Sequence, residues 1–421
     1  MRQVPKISVL IAILVAELGN NLLTPLFAFV FLATNSPLFT PEISMARRSI
    51  LFGVSLSCYK LGEVLANIIF TSLSDYYGRK LALYSTSLGL LLIGILGGGA
   101  LMIHSPLLMI TGIFLANFLN TNKAIGPAIM GDIATDRQRV RYMALIQSII
   151  AAGACLGPII GGHLGEHPFW LPVAYLLPFA VVALLSVGNL YLVHSAPETL
   201  TCSSKPSKHY SLMTTFKDYL KLLQATQIRR LFLLLILCQI SWSSYYEFIP
   251  PSLKNVFHYH PAKVGWFVGL IAFWLIIASS ILIHGLVKVF NQRIILWLSA
   301  FGVALGSVMS LIATQYPSHP WSIPLMWGSA IPIAAGDVVF FSLFTALLSI
   351  HAPPEQQGKA MGLTLIIANL VWSLSALIGG YLLRYYPNRA LLFAPVGAIA
   401  LLLVLIYLPS PAPAQLKGEI A

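Results

Sequence analysis

The chain has 421 residues, 57% of them hydrophobic and 9% charged, with a mean hydropathy of +0.83. Soluble domains carry about 25% charged residues, so a large soluble protein is excluded and an all-α polytopic membrane protein is indicated. The net charge of +12 does not point to nucleic acid, because the basic residues are dispersed among apolar segments rather than gathered on one face.

A helix needs roughly 20 apolar residues to cross the hydrocarbon core. That window places twelve spans near 7–32, 50–72, 81–103, 106–131, 142–164, 172–192, 231–249, 264–286, 294–314, 323–347, 360–383 and 390–408. The first is expected to be retained: MRQVPK leads into an apolar run too long for a signal peptide, with no small-residue cleavage site. The polar stretch 193–229 divides six spans from six. The expected organisation is an N-terminal six-helix bundle (1–192), a central loop (193–229), a C-terminal six-helix bundle (230–408) and a tail (409–421). Most lysines and arginines fall in the segments that are cytoplasmic when the N-terminus is inside, so both termini and the central loop are expected there.

In chain order, span one carries Glu17, about 17 Å above Lys6 at ~1.5 Å per residue and so near the midplane. Span two carries CYKLGEVLANIIF (58–70), with Lys60 and Glu63 on one face at a spacing of three, and Asn67 one turn on. Glu63 lies about 18 Å in from the following loop by the same rise. That loop, TSLSDYYGRK (71–80), must turn sharply at the membrane face. Gly78 can take a positive φ at little cost, and Arg79 and Lys80 anchor the loop inside. Span four offers Asn117, Asn120 and Lys123, three apart and expected roughly on one helix face.

Span five carries GACLGPIIGG, in which Gly153, Gly157 and Gly161 recur every four residues and make a groove for another helix. Pro158 removes a backbone donor there, and Gly162 completes the run. Span seven carries Trp242 and Tyr246 four apart, followed by Glu247 near its outer end. Asp337 lies near the middle of span ten with Phe341 one turn on, and Asn369 and Trp372 are three apart on span eleven. These aromatic and amide faces suit an amphipathic organic ligand, while packing or interfacial anchoring is the plainer reading of each.

A charge at the bilayer centre costs at least ~2.5–3.5 kcal/mol, so the carboxylates and lysines within spans imply a wet or protein-lined interior. Burial disfavours the charged form of an acid, which suits a carboxylate that alternates between proton and solute. Glu17, then Glu63, then Asp337 are the expected proton-coupling groups; a fixed interhelical salt bridge or hydrogen bond is the alternative for each. The cysteines and histidines show no metal-ligand spacing. No phosphate loop or catalytic triad signature is present, so neither an enzyme nor a bound cofactor is expected.

The loop 71–80 resembles the signature Gly-x-Leu-x-Asp-x-x-Gly-Arg-Lys of the major facilitator superfamily: Leu73, Asp75, Gly78, Arg79 and Lys80 match, and Thr71 stands where the family has glycine. The resemblance implies that Asp75 and Arg79 help latch two pseudo-symmetric halves on the cytoplasmic side. GACLGPIIGG is similar to the span-five pattern of the family's proton-driven drug exporters, the tetracycline and multidrug antiporters. Those exporters usually carry an arginine in span four, where LANFLNTNKAIGP (115–127) has none. A weak repeat supports two related halves: 134–145 aligns with 352–363, and Gly161-Gly162 with Gly379-Gly380.

The resemblance implies a secondary transporter working by alternating access, with the solute site near midplane between the halves and the proton gradient as energy source. Export of small amphipathic compounds, drugs or a secreted metabolite such as a siderophore, is the leading expectation. Proton-driven import of an anionic nutrient or siderophore is the alternative, favoured by Lys60, Lys123 and the missing arginine; a non-transporting receptor is the third. The expected partners are a small solute, protons and the lipid bilayer, with no nucleic acid. A monomer in a bacterial inner membrane is the expected setting.

Overall fold

The computed structural model describes residues 7–133, 136–166, 173–196, 198–199, 219, 221–353, 356–386 and 389–407. Among these there is no strand. The helices are α1 (Ile7–Leu22), α2 (Phe27–Leu32), α3 (Met45–Tyr77), α4 (Arg79–Met102), α5 (Pro106–Phe118), α6 (Asn122–Ile133), α7 (Asp136–Glu166) and α8 (Leu176–Ser195). They continue with α9 (Thr226–Val256), α10 (Pro261–Ile277), α11 (Ile283–Val289), α12 (Gln292–Gln315), α13 (Ser322–His351), α14 (Gln357–Tyr385) and α15 (Phe393–Tyr407). Ten helical segments among the described residues are long and apolar enough to cross a membrane. Two shorter apolar ones, Pro106–Phe118 and Ala390–Ile406, stand where the fourth and twelfth spans are expected.

The helix ends follow local chemistry. Ser44 caps α3 by accepting from the Arg47 amide, and Ser105 caps α5 ahead of Pro106 by accepting from the Leu108 amide. Gly78 joins α3 to α4 at φ +107°, in the region that favours glycine. Arg48, buried near the start of α3, ties down the preceding loop: its guanidinium donates to the carbonyls of Ala33, Thr34 and Ile43 and lies over the Phe39 ring.

One expectation is corrected. Asn117, Asn120 and Lys123 do not share one helix face, because the helix breaks between α5 and α6. The Asn120 side chain accepts from the Asn122 amide, and the Thr121 hydroxyl donates to the Ala82 carbonyl of α4. These local side-chain bonds replace the helical ladder.

The chain clusters into two compact units. The first gathers Met1–Lys208, Glu247–Phe273 and Ser373–Ala390; the second gathers His209–Tyr246, Trp274–Trp372 and Leu391–Ala421. In lipid there is little hydrophobic force between helices, so close packing of small residues holds them. In the first unit Gly53 of α3 meets Gly380 of α14 so closely that a Cβ on Gly53 would lie 2.8 Å from the Gly380 Cα. In the second, a Cβ on Gly336 of α13 would lie 2.6 Å from the Ser299 carbonyl oxygen of α12. That crossing fixes the backbone next to Asp337.

Candidate functional site

Within the first unit, Lys60 and Glu63 of α3 form an ion pair, Nζ to Oε2 at 3.0 Å. Lys60 also lies over the Tyr59 ring, 4.8 Å from its centroid. Glu247 joins this pair: its carboxyl lies within electrostatic reach of both Lys60 and Glu63. Glu247 is 8% exposed, and neither of its carboxylate oxygens has a hydrogen-bond partner. A buried charge left unpaired costs several kcal/mol, roughly. Two acids around one cation therefore make a cluster with room for one further positive charge. Chain order had placed Glu247 near the outer end of its span. Only the tertiary arrangement brings it to the pair.

Glu17 is held differently. Its Oε1 accepts from Asn122 Nδ2 at 3.0 Å and its Oε2 from Asn21 Nδ2 at 3.3 Å. Asn122 was not singled out by sequence, yet its amide is what reaches Glu17 from α6. The backbone of Lys123 lies in the same helix; its side chain is outside the described residues, as is that of Asp75. Asn117 donates to the Ile113 carbonyl of its own helix, and its Oδ1 is buried without a partner.

The span-five motif has two packing faces, both within the first unit. On one, Gly153, Gly157 and Gly161 lie against Glu17, Leu18 and Leu22 of α1. A Cβ on Gly153 would sit 2.5 Å from the Glu17 Cβ, and one on Gly161 would collide with the Leu22 carbonyl oxygen. On the other, Gly162 abuts Pro261 and Ala262, and the Pro158 carbonyl abuts Gly265 of α10. Pro158 is accommodated inside the continuous α7.

At the turn 78–80, Arg79 Nε donates to Asp132 Oδ2 at 2.8 Å and its guanidinium also reaches the Ser74 hydroxyl. Glu198 accepts from the backbone amides of Arg79 and Lys80, at 3.0 and 3.1 Å, across the start of α4. A carboxylate at a helix N-terminus satisfies donors that lack helical partners. Lys80 Nζ donates to the His194 carbonyl at 2.6 Å. Neither Asp132 nor Glu198 carried a signal that sequence alone would separate from ordinary loop charges.

In the second unit, Asp337 Oδ1 accepts from Gln239 Nε2 at 3.2 Å, with the Cys238 thiol at 3.8 Å. Gln239 in turn accepts from Trp372 Nε1 at 2.8 Å. The Trp372 ring lies 5.8 Å from Tyr246, and Tyr246 lies 5.6 Å from Trp242. The three aromatics proposed from α9 and α14 thus form one continuous face. Phe341 is not part of it; its ring pairs with Phe344 at 6.3 Å. Asn369 is half-buried on α14.

The family model of the Major Facilitator Superfamily matches residues 9–239 and 231–420. Among curated relatives, the class H tetracycline resistance protein of Pasteurella multocida is 21% identical over 350 residues, 82% of each chain. The class B tetracycline resistance protein of Escherichia coli is 25% identical over 348 residues, 81% of this chain and 80% of its own. The fold is that of a D-xylose-proton symporter, with TM-score 0.72, 13% identity, and coverage of 96% of this chain and 98% of that one. It is also that of the nucleoside transporter NupG, with TM-score 0.75, 13% identity, and coverage of 95% and 98%. With family matches running along almost its whole length, the chain belongs to the Major Facilitator Superfamily and is a membrane transporter, not an enzyme.

Proposed function

We propose that this transporter is a proton-coupled exporter of small amphipathic organic compounds, working by alternating access. The observation that carries the reading is Glu247: a buried carboxyl with no hydrogen-bond partner, beside the Lys60–Glu63 pair. Such a group cannot stay charged and unpaired at low energetic cost, so it holds a proton or draws on the cation beside it. Transfer of Lys60 between Glu63 and Glu247 then gives the cluster two states with the same number of protons, in which the exchangeable proton sits on whichever carboxyl the lysine leaves. Glu17, saturated by two amides, gives way to Glu247 as the leading coupling residue in this reading.

Export is supported by the tetracycline resistance relatives and by the span-five motif, and the aromatic face of Trp242, Tyr246 and Trp372 suits an amphipathic solute. The reading includes an N-terminal bundle over 1–192 and a C-terminal bundle over 230–408 in a bacterial inner membrane, with both termini cytoplasmic. It also includes action as a monomer, with the proton gradient in place of any cofactor. A second reading, proton-driven import of an anionic nutrient, is favoured by Lys123 where exporters have arginine.

Direction is tested by solute flux in everted and right-side-out vesicles under an imposed pH gradient. Gradient-dependent accumulation in everted vesicles supports export, accumulation in right-side-out vesicles supports import, and flux indifferent to collapse of the gradient ends the proton-coupled reading.

A further inference from the structure

The orientation of Gln239 is dictated by its two neighbours. An indole N–H only donates, and an ionised carboxylate only accepts. The amide can serve Trp372 and a charged Asp337 together in one way alone, with oxygen toward Trp372 and nitrogen toward Asp337. That is the arrangement found, at 2.8 and 3.2 Å. Gln239 lies midway along α9 and is 4% exposed; Asp337 lies midway along α13 and is 7% exposed. The Cys238 thiol is the titratable group that meets Asp337 from α9, and among the described residues no charged group from α12 or α13 acts on it.

A proton taken up by Asp337 changes what its neighbours see. The carboxyl becomes a donor as well as an acceptor. The bond from Gln239 also loses its charge assistance, which makes such bonds about twice as strong as neutral ones. Trp372 can still only donate, so the amide keeps its orientation but is held more weakly at its Asp337 end. Gln239 then fixes Trp372 beside Tyr246 less firmly.

We propose that Gln239 is a positioning residue that transmits the protonation state of Asp337 to the aromatic face, so that the Trp372–Tyr246–Trp242 wall is assembled when Asp337 is charged and loosened when it carries a proton. By linkage, a solute stacked on the assembled wall opposes proton uptake at Asp337 to the same degree. This is the sign an exchanger needs. The inference rests on the reading that protons exchange with buried carboxyls of this protein, and adds the route by which one of them reaches an aromatic solute.

The test is fluorine NMR of the full-length protein labelled with 5-fluorotryptophan. The chain has eight tryptophans, and the Trp372 resonance is assigned by its loss in Trp372→Phe. In the wild type that resonance should move through one titration as pH is stepped from alkaline to acid. In Asp337→Asn, close to isosteric, the movement should vanish. In Gln239→Met, which keeps length without hydrogen bonds, it should vanish while the other tryptophan resonances keep their positions and so report an intact fold. A wild-type resonance indifferent to pH, or one that titrates equally in Gln239→Met, overturns the relay; should Gln239→Met misfold, the Asp337→Asn comparison decides, since an unchanged titration there overturns it too. Gradient-driven flux on the same preparations separates the two readings. Flux with a silent Trp372 removes the relay alone, and a titrating Trp372 in a protein indifferent to the gradient removes the coupling and leaves the relay.

Discussion

Lys60 and Glu63 are one helical turn apart on α3 and close to 3.0 Å, with side chains only 14% and 10% exposed. A pair made within one helix brings its own counter-charge into the membrane, which lowers the cost of inserting either partner. What the pair does not balance is Glu247.

The three charges should therefore respond unequally to neutralisation. Lys60→Met removes the cation that both acids lie against and is expected to destabilise by about 3–5 kcal/mol, the range for breaking a buried pair from one side. Glu63→Gln leaves Lys60 with Glu247 to turn to and should cost clearly less. Thermal melting of the detergent-solubilised variants, followed by monodispersity on size exclusion, ranks them; an equal loss for both would mean that Glu247 does not share the lysine.

Glu247→Gln should uncouple the transporter while sparing the fold, because the neutral amide removes the exchangeable proton and leaves Lys60–Glu63 intact. Solute counterflow should persist and gradient-driven accumulation should fall to the level of passive exchange. Full accumulation in this variant would exclude Glu247 as the coupling group.

Small residues at the crossings set a steric prediction with an internal control. Gly161→Ala places a methyl group into the Leu22 carbonyl of α1 and should cost about 1–3 kcal/mol as overpacking. Gly188→Ala, on α8 with no atom within 4 Å of the added carbon, should be neutral or stabilising by up to about 1 kcal/mol. Melting temperatures of the two variants check the contrast.

At the start of α4, Glu198→Ala removes the acceptor for two backbone amides and is expected to cost about 1 kcal/mol, as loss of a helix cap does. Asp132→Asn weakens the Arg79 contact without emptying the space. Hydrogen exchange over the turn 78–80 should rise more in Glu198→Ala than in Asp132→Asn, since only Glu198 binds the backbone itself.

Much of this protein is legible in one dimension because the bilayer is a one-dimensional constraint. Most of the apolar runs, the glycine at 78 that makes the turn, and the four-residue spacing of Gly153, Gly157 and Gly161 are local properties, and they fall where the sequence places them. The Lys60–Glu63 pair is local as well, since spacing on a helix decides it. The helix break between Phe118 and Asn122 was not legible, because it is stabilised by a hydroxyl reaching Ala82 on another helix.

The same limit governs the site. Sequence identifies the carboxylates that must be accommodated inside the membrane, because their cost there depends on residue type and depth alone. It cannot say which of them find partners. Glu17 meets Asn122 from a helix 105 positions away in the chain, Asp337 meets Gln239 at a separation of 98, and Glu247 meets the field of Lys60 and Glu63 without a hydrogen bond of its own. Partnering in three dimensions is a matter of packing between helices distant in sequence, and only the tertiary structure separates Glu17 and Asp337, which find hydrogen-bond partners, from Glu247, which does not.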